Sequence, residues 1–162
     1  MTAINTAINV ISKPKLDKEY KRVLTQTNQD YFLLDADETL QDGKSFDFSF
    51  YVPDNTTQRS LSGVSSGATE IFLQSNGAVY IQFVGGSLGL PAATVLVGDN
   101  TLKLRLDSGT YYVSMNGGAE SSLINGNPFI VRQLNNISFS STRNITFYDF
   151  QLNDSIVPLN EG

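Results

Sequence analysis

Apolar and polar residues alternate along much of this chain with a period of two. The clearest stretch is Asn100 to Gly117, N-T-L-K-L-R-L-D-S-G-T-Y-Y-V-S-M-N-G. Leu102, Leu104 and Leu106 alternate with Lys103 and Arg105. After Asp107-Ser108-Gly109, Tyr111, Val113 and Met115 alternate with Tyr112, Ser114 and Asn116. Successive side chains of a strand point to opposite faces, so the stretch predicts two half-buried strands joined by a tight hairpin. One face is apolar and has to lie on a core. The other carries Lys103, Arg105, Tyr112, Ser114 and Asn116 and faces water or a ligand.

The same period recurs on both sides of this stretch. Phe46, Phe48, Phe50 and Val52 alternate with Asp47, Ser49 and Tyr51, predicting a strand over 45–52 that Pro53-Asp54-Asn55 stops. Residues 70–74 and 78–84 flank Ser75-Asn76-Gly77, a second hairpin signal. There Val79, Ile81 and Phe83 share one face, and Tyr80 and Gln82 take the other. Further strands are predicted at 31–34, 129–134, 137–140 and 144–152. In the last, Ile145 and Phe147 share one phase and Phe150 and Leu152 the opposite one, so a bulge is expected near Tyr148-Asp149. Residues 15–24 fit a short helix or a strand, with the strand preferred. Residues 56–69 are rich in Ser, Thr and Gly and contain Leu61 and Val64, residues 85–91 read as a long loop, and the stretch after Gly117-Gly118 reads as a polar linker. About ten short strands at this spacing, without a convincing helix, predict an all-β, two-sheet antiparallel sandwich or jelly roll. Its expected core is Phe46, Phe48, Phe50, Val79, Ile81, Phe83, Leu102, Leu104, Leu106, Val113, Phe139 and Phe147.

Three regions are expected: an N-terminal arm or edge strand over 1–22, the sandwich over 23–155, and a tail or linker over 156–162. Residues 1–14 alternate Ile and Val but hold too little apolar surface to fold alone. They are expected to be disordered or to lie along another chain or a sheet edge.

Composition narrows the chemistry. A chain of 162 residues, 40% hydrophobic and 17% charged, suits one globular domain with a sizeable core. It contains no cysteine, histidine or tryptophan. Disulfides and thiolate metal sites are therefore impossible, and the usual nucleophile–base pairs are missing. That argues against most hydrolases and predicts a non-enzymatic protein. The formal net charge is −5, while Lys13, Lys15, Lys18, Lys21 and Arg22 collect at one end against Asp17 and Glu19. The acidic remainder is a poor match for nucleic acid, where phosphate neutralisation dominates affinity. No run is long and apolar enough to insert in a bilayer, and no secretory signal is read at the N-terminus. The triplets at Asn55, Asn136, Asn144 and Asn153 fit the glycosylation pattern but arise readily by chance.

Candidate ligand-binding residues are Tyr80 and Gln82 on one hairpin, with Lys103, Arg105, Tyr112, Ser114 and Asn116 on the next, expected on one shared sheet face. Aromatic rings stack on sugars, and amide and guanidinium groups hydrogen-bond hydroxyls. A solvated antiparallel face has the same composition. Asp47, Glu70, Asp99 and Asp107 stand singly or at turns and fit caps better than a glycosidase pair. Asp35, Asp37 and Asp42 form the tightest acidic cluster, but Thr39 and Leu40 stand where a calcium loop needs an acid and a glycine, so no cofactor is expected. Gly85 to Gly89 lacks the lysine and helix of a phosphate loop.

The succession F-D-F-S-F-Y-V-P, I-F-L-Q-S-N-G-A-V-Y-I-Q-F, the central hairpin and N-I-T-F-Y-D-F-Q-L-N-D resembles concanavalin A-like or laminin-G-like jelly rolls over residues 20–155. Phe147 to Asn153 matches the last-strand form of that family loosely. The resemblance implies carbohydrate or protein-surface binding, in some members with calcium. The closing Leu159-Asn160-Glu161-Gly162 resembles the opening of a following module in phage and bacterial surface proteins. The composition, rich in Asn, Ser, Thr and Gly, is similar to that of phage virion proteins. The resemblance thus implies a module of a virion or extracellular surface, a homo-oligomer among other virion subunits, that binds a cell-surface glycan or docks on a neighbour. Its alternative is a purely structural capsid decoration or tail assembly protein.

Overall fold

The computed structural model describes residues 22–24, 32–54, 58–64, 68–134 and 145–156. They form β1 (Arg22–Leu24), β2 (Phe32–Thr39), β3 (Ser45–Val52), β4 (Arg59–Gly63), β5 (Glu70–Leu73), β6 (Val79–Phe83) and β7 (Gly86–Leu90). The chain continues through β8 (Gly98–Asp107), β9 (Thr110–Met115), β10 (Ser121–Ile124), β11 (Ile130–Leu134), β12 (Ile145–Leu152) and β13 (Ser155–Ile156). No helix occurs among the described residues. A seven-stranded sheet runs β1-β12-β3-β8-β9-β10, with β13 on β12, and a six-stranded sheet runs β2-β11-β4-β5-β6-β7. Every pairing is antiparallel.

Period-two patterning produced the strands that it predicted most sharply. The strand expected over 45–52 coincides with β3. In the central hairpin Leu102 pairs with Met115, Leu104 with Val113 and Arg105 with Tyr112. Its two-residue turn places Ser108 and Gly109 at φ 51° and 77°. Positive φ at both positions matches the right-handed twist of the flanking strands. The β5–β6 turn needs Gly77 for a different reason. A Cβ there would stand 3.1 Å from the backbone of Ala93, because the 91–97 loop is bonded onto that turn. The expected bulge in the last long strand is present: the β12–β3 register shifts between Phe147 and Asp149. Ile145 before it and Phe150 and Leu152 after it all reach the core.

Three strands escape the pattern. β4, R-S-L-S-G, has one apolar residue, yet all five of its residues are buried. β7 was expected to be loop because Gly86 and Gly89 punctuate it, but Leu88 and Leu90 face the core. β10 was expected to be a polar linker; among the described residues it is a half-exposed strand paired with β9 alone. Short strands of this kind form because a neighbour offers a ladder, not because their own sequence demands one.

The core lies between the sheets. Of the expected set, Phe46, Phe48, Phe50, Val79, Ile81, Phe83, Leu102, Leu104 and Val113 are buried. Leu106, near the end of β8, is only partly buried. Phe139, the side chain of Phe147, the strand expected at 137–140 and the arm over 1–14 lie outside the described residues. An aromatic chain crosses the layers: Phe83 lies 4.6 Å from Tyr111 and 5.3 Å from Phe129, whose ring is 6.2 Å from Phe46. The Tyr111 hydroxyl donates to the Asn127 carbonyl at 2.9 Å and accepts from the Phe129 amide at 3.1 Å. Its polar tip is thereby satisfied inside the sandwich, while burial pushes the phenol above its ordinary value.

Asn100 also sits wholly inside, opposite Phe50. Its amide nitrogen donates to the carbonyls of Leu96 and Gly98, and its oxygen accepts from the Leu96 amide and from the Asn116 side chain. A buried amide is tolerated only when its bonds are made. Here they hold the 96–98 bend at the entry to β8.

Phe83→Ala is expected to cost about 3–5 kcal/mol in urea unfolding, since the cavity opens between two packed sheets. Asn100→Ala is expected to cost about 1–3 kcal/mol in the same measurement, because it strands the Leu96 amide and two carbonyls.

Candidate functional site

The outer face of the seven-stranded sheet gathers most of the polar side chains singled out from sequence. Cross-strand pairing sets Gln151, Asp47, Lys103 and Ser114 in one row. The next row holds Ser45, Arg105, Tyr112 and Ser122. Rows two residues apart stand about 7 Å from each other.

Within this face Arg105 is already committed. Its guanidinium donates to both Glu120 oxygens at 2.9 and 2.8 Å and lies 3.5 Å from Asp107. Its carbon sits 3.8 Å from the centre of the Tyr112 ring. One face of the Tyr112 ring, which was expected to meet a sugar, is covered by this planar cation. The bond to Glu120 raises Arg105 above its ordinary value, and the same bond holds the Glu120 carboxyl below its own.

Beside this stack lies a cavity of about 300 Å³. Three chain segments frame it. One is the turn ahead of β3 with the first residue of that strand, contributing Gly43, Lys44 and Ser45; another is β8, contributing Lys103, Arg105, Leu106 and Asp107; the third is the β12–β13 turn, contributing Asp154. Backbone bonds fix the frame. The Gly43 amide donates to Leu106 O at 2.9 Å, and the Leu106 amide to Lys44 O at 3.1 Å. Asn153 and Asp154 sit at φ 51° and 64°, a tight turn, and the Asn153 side chain bridges the Gln41 amide and the Thr39 carbonyl.

Charges alternate around the rim. Lys44 Nζ meets Asp154 at 3.0 Å, and Lys103 Nζ meets Asp47 at 3.8 Å. The Ser45 hydroxyl lies within reach of both Asp47 and Asp154. The hydrogen bond from Lys44, with the attraction of its charge, holds the Asp154 carboxyl below the usual range. Donors and acceptors therefore alternate over a short distance, which suits groups that both give and take hydrogen bonds. No cluster of three metal-ligating acids occurs among the described residues. Asp37 lies 3.8 Å from Arg132, and Asp42 belongs to the turn ahead of β3.

The face expected to be shared by two hairpins is split by the topology. Tyr80 and Gln82 lie on β6 in the six-stranded sheet, whereas Lys103, Arg105, Tyr112 and Ser114 lie in the other. The alternation of β6 gave the correct outward phase for Tyr80 and Gln82 but could not say which sheet they join. Tyr80 is half exposed beside Phe72, 6.3 Å between ring centres, and Gln82 pairs with the buried Glu70. Asn116 stands at φ 53° just past β9, where its side-chain oxygen accepts the Thr101 amide at 2.8 Å. It is exposed, but it closes the hairpin. Lys44, Ser45, Asp47, Asp154 and Glu120 complete the site and were missed as ligand groups. The D-G-K turn at 42–44 and the N-D turn at 153–154 were legible as turns, but nothing local places them side by side.

No family model matches the chain, and no curated protein matches it. Solved structures do. The LG1–3 region of the laminin α2 chain superposes with a TM-score of 0.60 at 13% identity, covering 87% of this chain and 28% of that one. Domains LG4–5 of the mouse laminin α1 chain give 0.52 at 14% identity, covering 90% and 47%. Xenopus laevis galectin-Ib gives 0.50 at 10% identity, covering 76% and 98%. The fold is a concanavalin A-like jelly-roll sandwich. At these identities the likeness is one of fold, and this chain spans less than half the length of either laminin chain.

Glu120→Gln is expected to lower stability by about 0.2–1 kcal/mol, the range of solvent-screened surface pairs. The sign with pH follows from the depressed carboxyl. The contribution of Glu120 is complete above its ordinary value of 4.5 and is lost as pH falls through the lower folded value. Urea unfolding of parent and variant should differ at neutral pH and converge in acid.

Proposed function

We propose that this domain is a non-enzymatic recognition module that binds a glycan, and that the ligand seats in the cavity between the turn ahead of β3, β8 and the β12–β13 turn. The observation that carries the reading is the rim itself: Lys44, Lys103, Arg105, Asp107 and Asp154 surround about 300 Å³ of space on a frame pinned by backbone bonds. Sugar hydroxyls donate and accept at once, so a ring of alternating ammonium and carboxylate groups can satisfy several together. The volume is at the small end of ligand clefts and suits one sugar unit of a longer chain. Paired charges are held in place before binding, which reduces the ordering cost. Ligand residues in this reading are Lys103 and Arg105 from the sequence-based set, joined by Lys44 and Asp154. Tyr112 acts by fixing Arg105. The setting is an extracellular or virion surface, as the composition and the resemblance of the sequence suggest. A second reading, a purely structural virion component, draws support from Arg105, whose strongest bonds are already made within the chain.

A glycan array probed with the 162-residue chain, followed by calorimetry on the strongest hit, tests this. Lys103→Ala and Asp154→Ala are each expected to weaken binding about tenfold, equivalent to ~1.4 kcal/mol. Lys103 is exposed on a regular strand, so Lys103→Ala should hardly move the melting temperature, whereas Asp154 sits at φ 64° and its replacement by Ala is expected to lower it slightly. No glycan bound would favour the structural reading, and binding unchanged in both variants would overturn the cavity as the seat of the ligand.

A further inference from the structure

The chain contains three Asn-Gly pairs, Asn76-Gly77, Asn116-Gly117 and Asn125-Gly126. A glycine after asparagine leaves its amide nitrogen unhindered, so that nitrogen can approach the asparagine side-chain carbonyl closely. The fold treats the three pairs differently. The Gly77 amide donates to the Gln74 carbonyl at 3.0 Å, so its nitrogen is engaged. Residues of β8 hold the Asn116 side chain at both ends: its oxygen accepts the Thr101 amide at 2.8 Å, and its nitrogen donates to the Asn100 side chain at 3.1 Å. Asn125 differs on both counts. Gly126 is exposed, and its amide makes no hydrogen bond among the described residues. The Asn125 side-chain oxygen accepts two N–H groups of Asn127, the backbone amide at 2.9 Å and the side-chain amide at 3.1 Å. Both donors belong to the same short loop and turn with the carbonyl that they bind.

We propose that Asn125 is a self-modification site, where the Gly126 amide nitrogen displaces ammonia from the Asn125 side chain in a one-way deamidation. The exposed Gly126 N–H first gives its proton to hydroxide from solvent. The bond from that nitrogen to Asn125 Cγ then forms, and the Cγ–Oδ1 π pair moves onto Oδ1. Donors already aimed at an oxygen where charge develops lower the barrier, and the two Asn127 N–H groups stand there before the reaction begins. Collapse of the intermediate breaks the Cγ–Nδ2 bond. The nitrogen takes a proton from water and leaves as ammonia, which returns the hydroxide. Water then opens the cyclic imide at either carbonyl and leaves an aspartyl or isoaspartyl residue at position 125. Asn127 is spared, because Pro128 has no N–H to attack with. The product alters a tie in the fold. The Asn125 and Asn127 side-chain amides both donate to the Val84 carbonyl, at 3.3 and 2.8 Å, and so fasten the β6–β7 turn to the link where the chain crosses from β10 in one sheet to β11 in the other. Deamidation replaces the first of these donors with a carboxylate oxygen, which can only accept, opposite a carbonyl. The age of the chain is thereby recorded at the corner where its sheets are joined.

Peptide mass mapping of the full chain, aged in mildly alkaline buffer with and without denaturing urea, tests this. In the folded chain Asn125 is expected to lose its amide at least about tenfold faster than Asn76 and Asn116, a barrier difference of ~1.4 kcal/mol. In urea the three rates should converge, since only the dipeptide remains to set them. Gly126→Ala should slow the loss at position 125 and leave the other two sites as they are. A Cβ at Gly126 meets nothing within 4 Å, and Gly126 is not among the glycines at positive φ, so this variant should fold. Asn127→Ala, which removes one of the two donors, should slow the loss as well. The aged parent should melt lower than fresh protein, and aged Gly126→Ala should not. Asn125 reacting no faster than the other two sites in the folded chain, or no faster folded than in urea, would overturn the inference. So would an Asn127→Ala chain that reacts at the parent's rate. An aged parent that melts like fresh protein would overturn the effect on the tie.

Discussion

The structure depends on one contact between layers: Phe83 of the six-stranded sheet wedged between Tyr111 of the other sheet and Phe129 at the start of β11. Two sheets packed face to face stand about 10 Å apart, a gap that aromatic rings fill. Phe46 continues the chain of rings from Phe129, and Phe48 and Phe150 stack at 5.0 Å within the seven-stranded sheet. Once the rings are set between the sheets, the register of each strand is no longer free. A slip of one residue would turn every inward Phe or Leu toward water. The Tyr111 hydroxyl then fastens the segment around Asn127 to Phe129 to the same point, so packing and loop placement share one residue.

Register inside the core decides what the outside can hold. Because Leu102 and Leu104 must face Phe48 and Phe46 across β3, Lys103 and Arg105 have to face outward beside Asp47 and Ser45. The bulge in β12 does similar work at the far end. It brings Leu152 to the core, and so brings the β12–β13 turn with Asp154 within 3.0 Å of Lys44. The cavity follows from strand ends meeting, with its walls held by turns at positive φ and by backbone bonds. A polar site held in this way starts from fixed geometry, so little ordering cost falls on the ligand.

Electrostatics on this face is local. Each cation has a carboxylate beside it, Lys44 with Asp154, Lys103 with Asp47, Arg105 with Glu120 and Asp107. The resulting field is short-ranged and screened by salt, which suits recognition of hydroxyl groups better than long-range steering of a charged partner. The chain's net negative charge is spread elsewhere, including β2.

The sequence by itself determined the strands whose two faces differ. Phe46 to Val52, Val79 to Phe83 and Leu102 to Met115 alternate so regularly that only one side of each could be buried, and even the bulge near Tyr148-Asp149 showed as a change of phase. It also fixed the missing chemistry, since a chain without His or Cys cannot assemble the usual catalytic pairs. Tertiary structure alone decided three other matters. It recruited β4, β7 and β10, whose few apolar residues become strands because a neighbouring ladder lies open to them. It sent Tyr80 and Gln82 to one sheet and Lys103 and Arg105 to the other, because alternation sets a side chain's face and says nothing of which strands become neighbours. And it assembled the cavity from Lys44, Lys103 and Asp154. They lie far apart along the chain, and each is an ordinary turn or surface residue until the cross-strand registers bring them together.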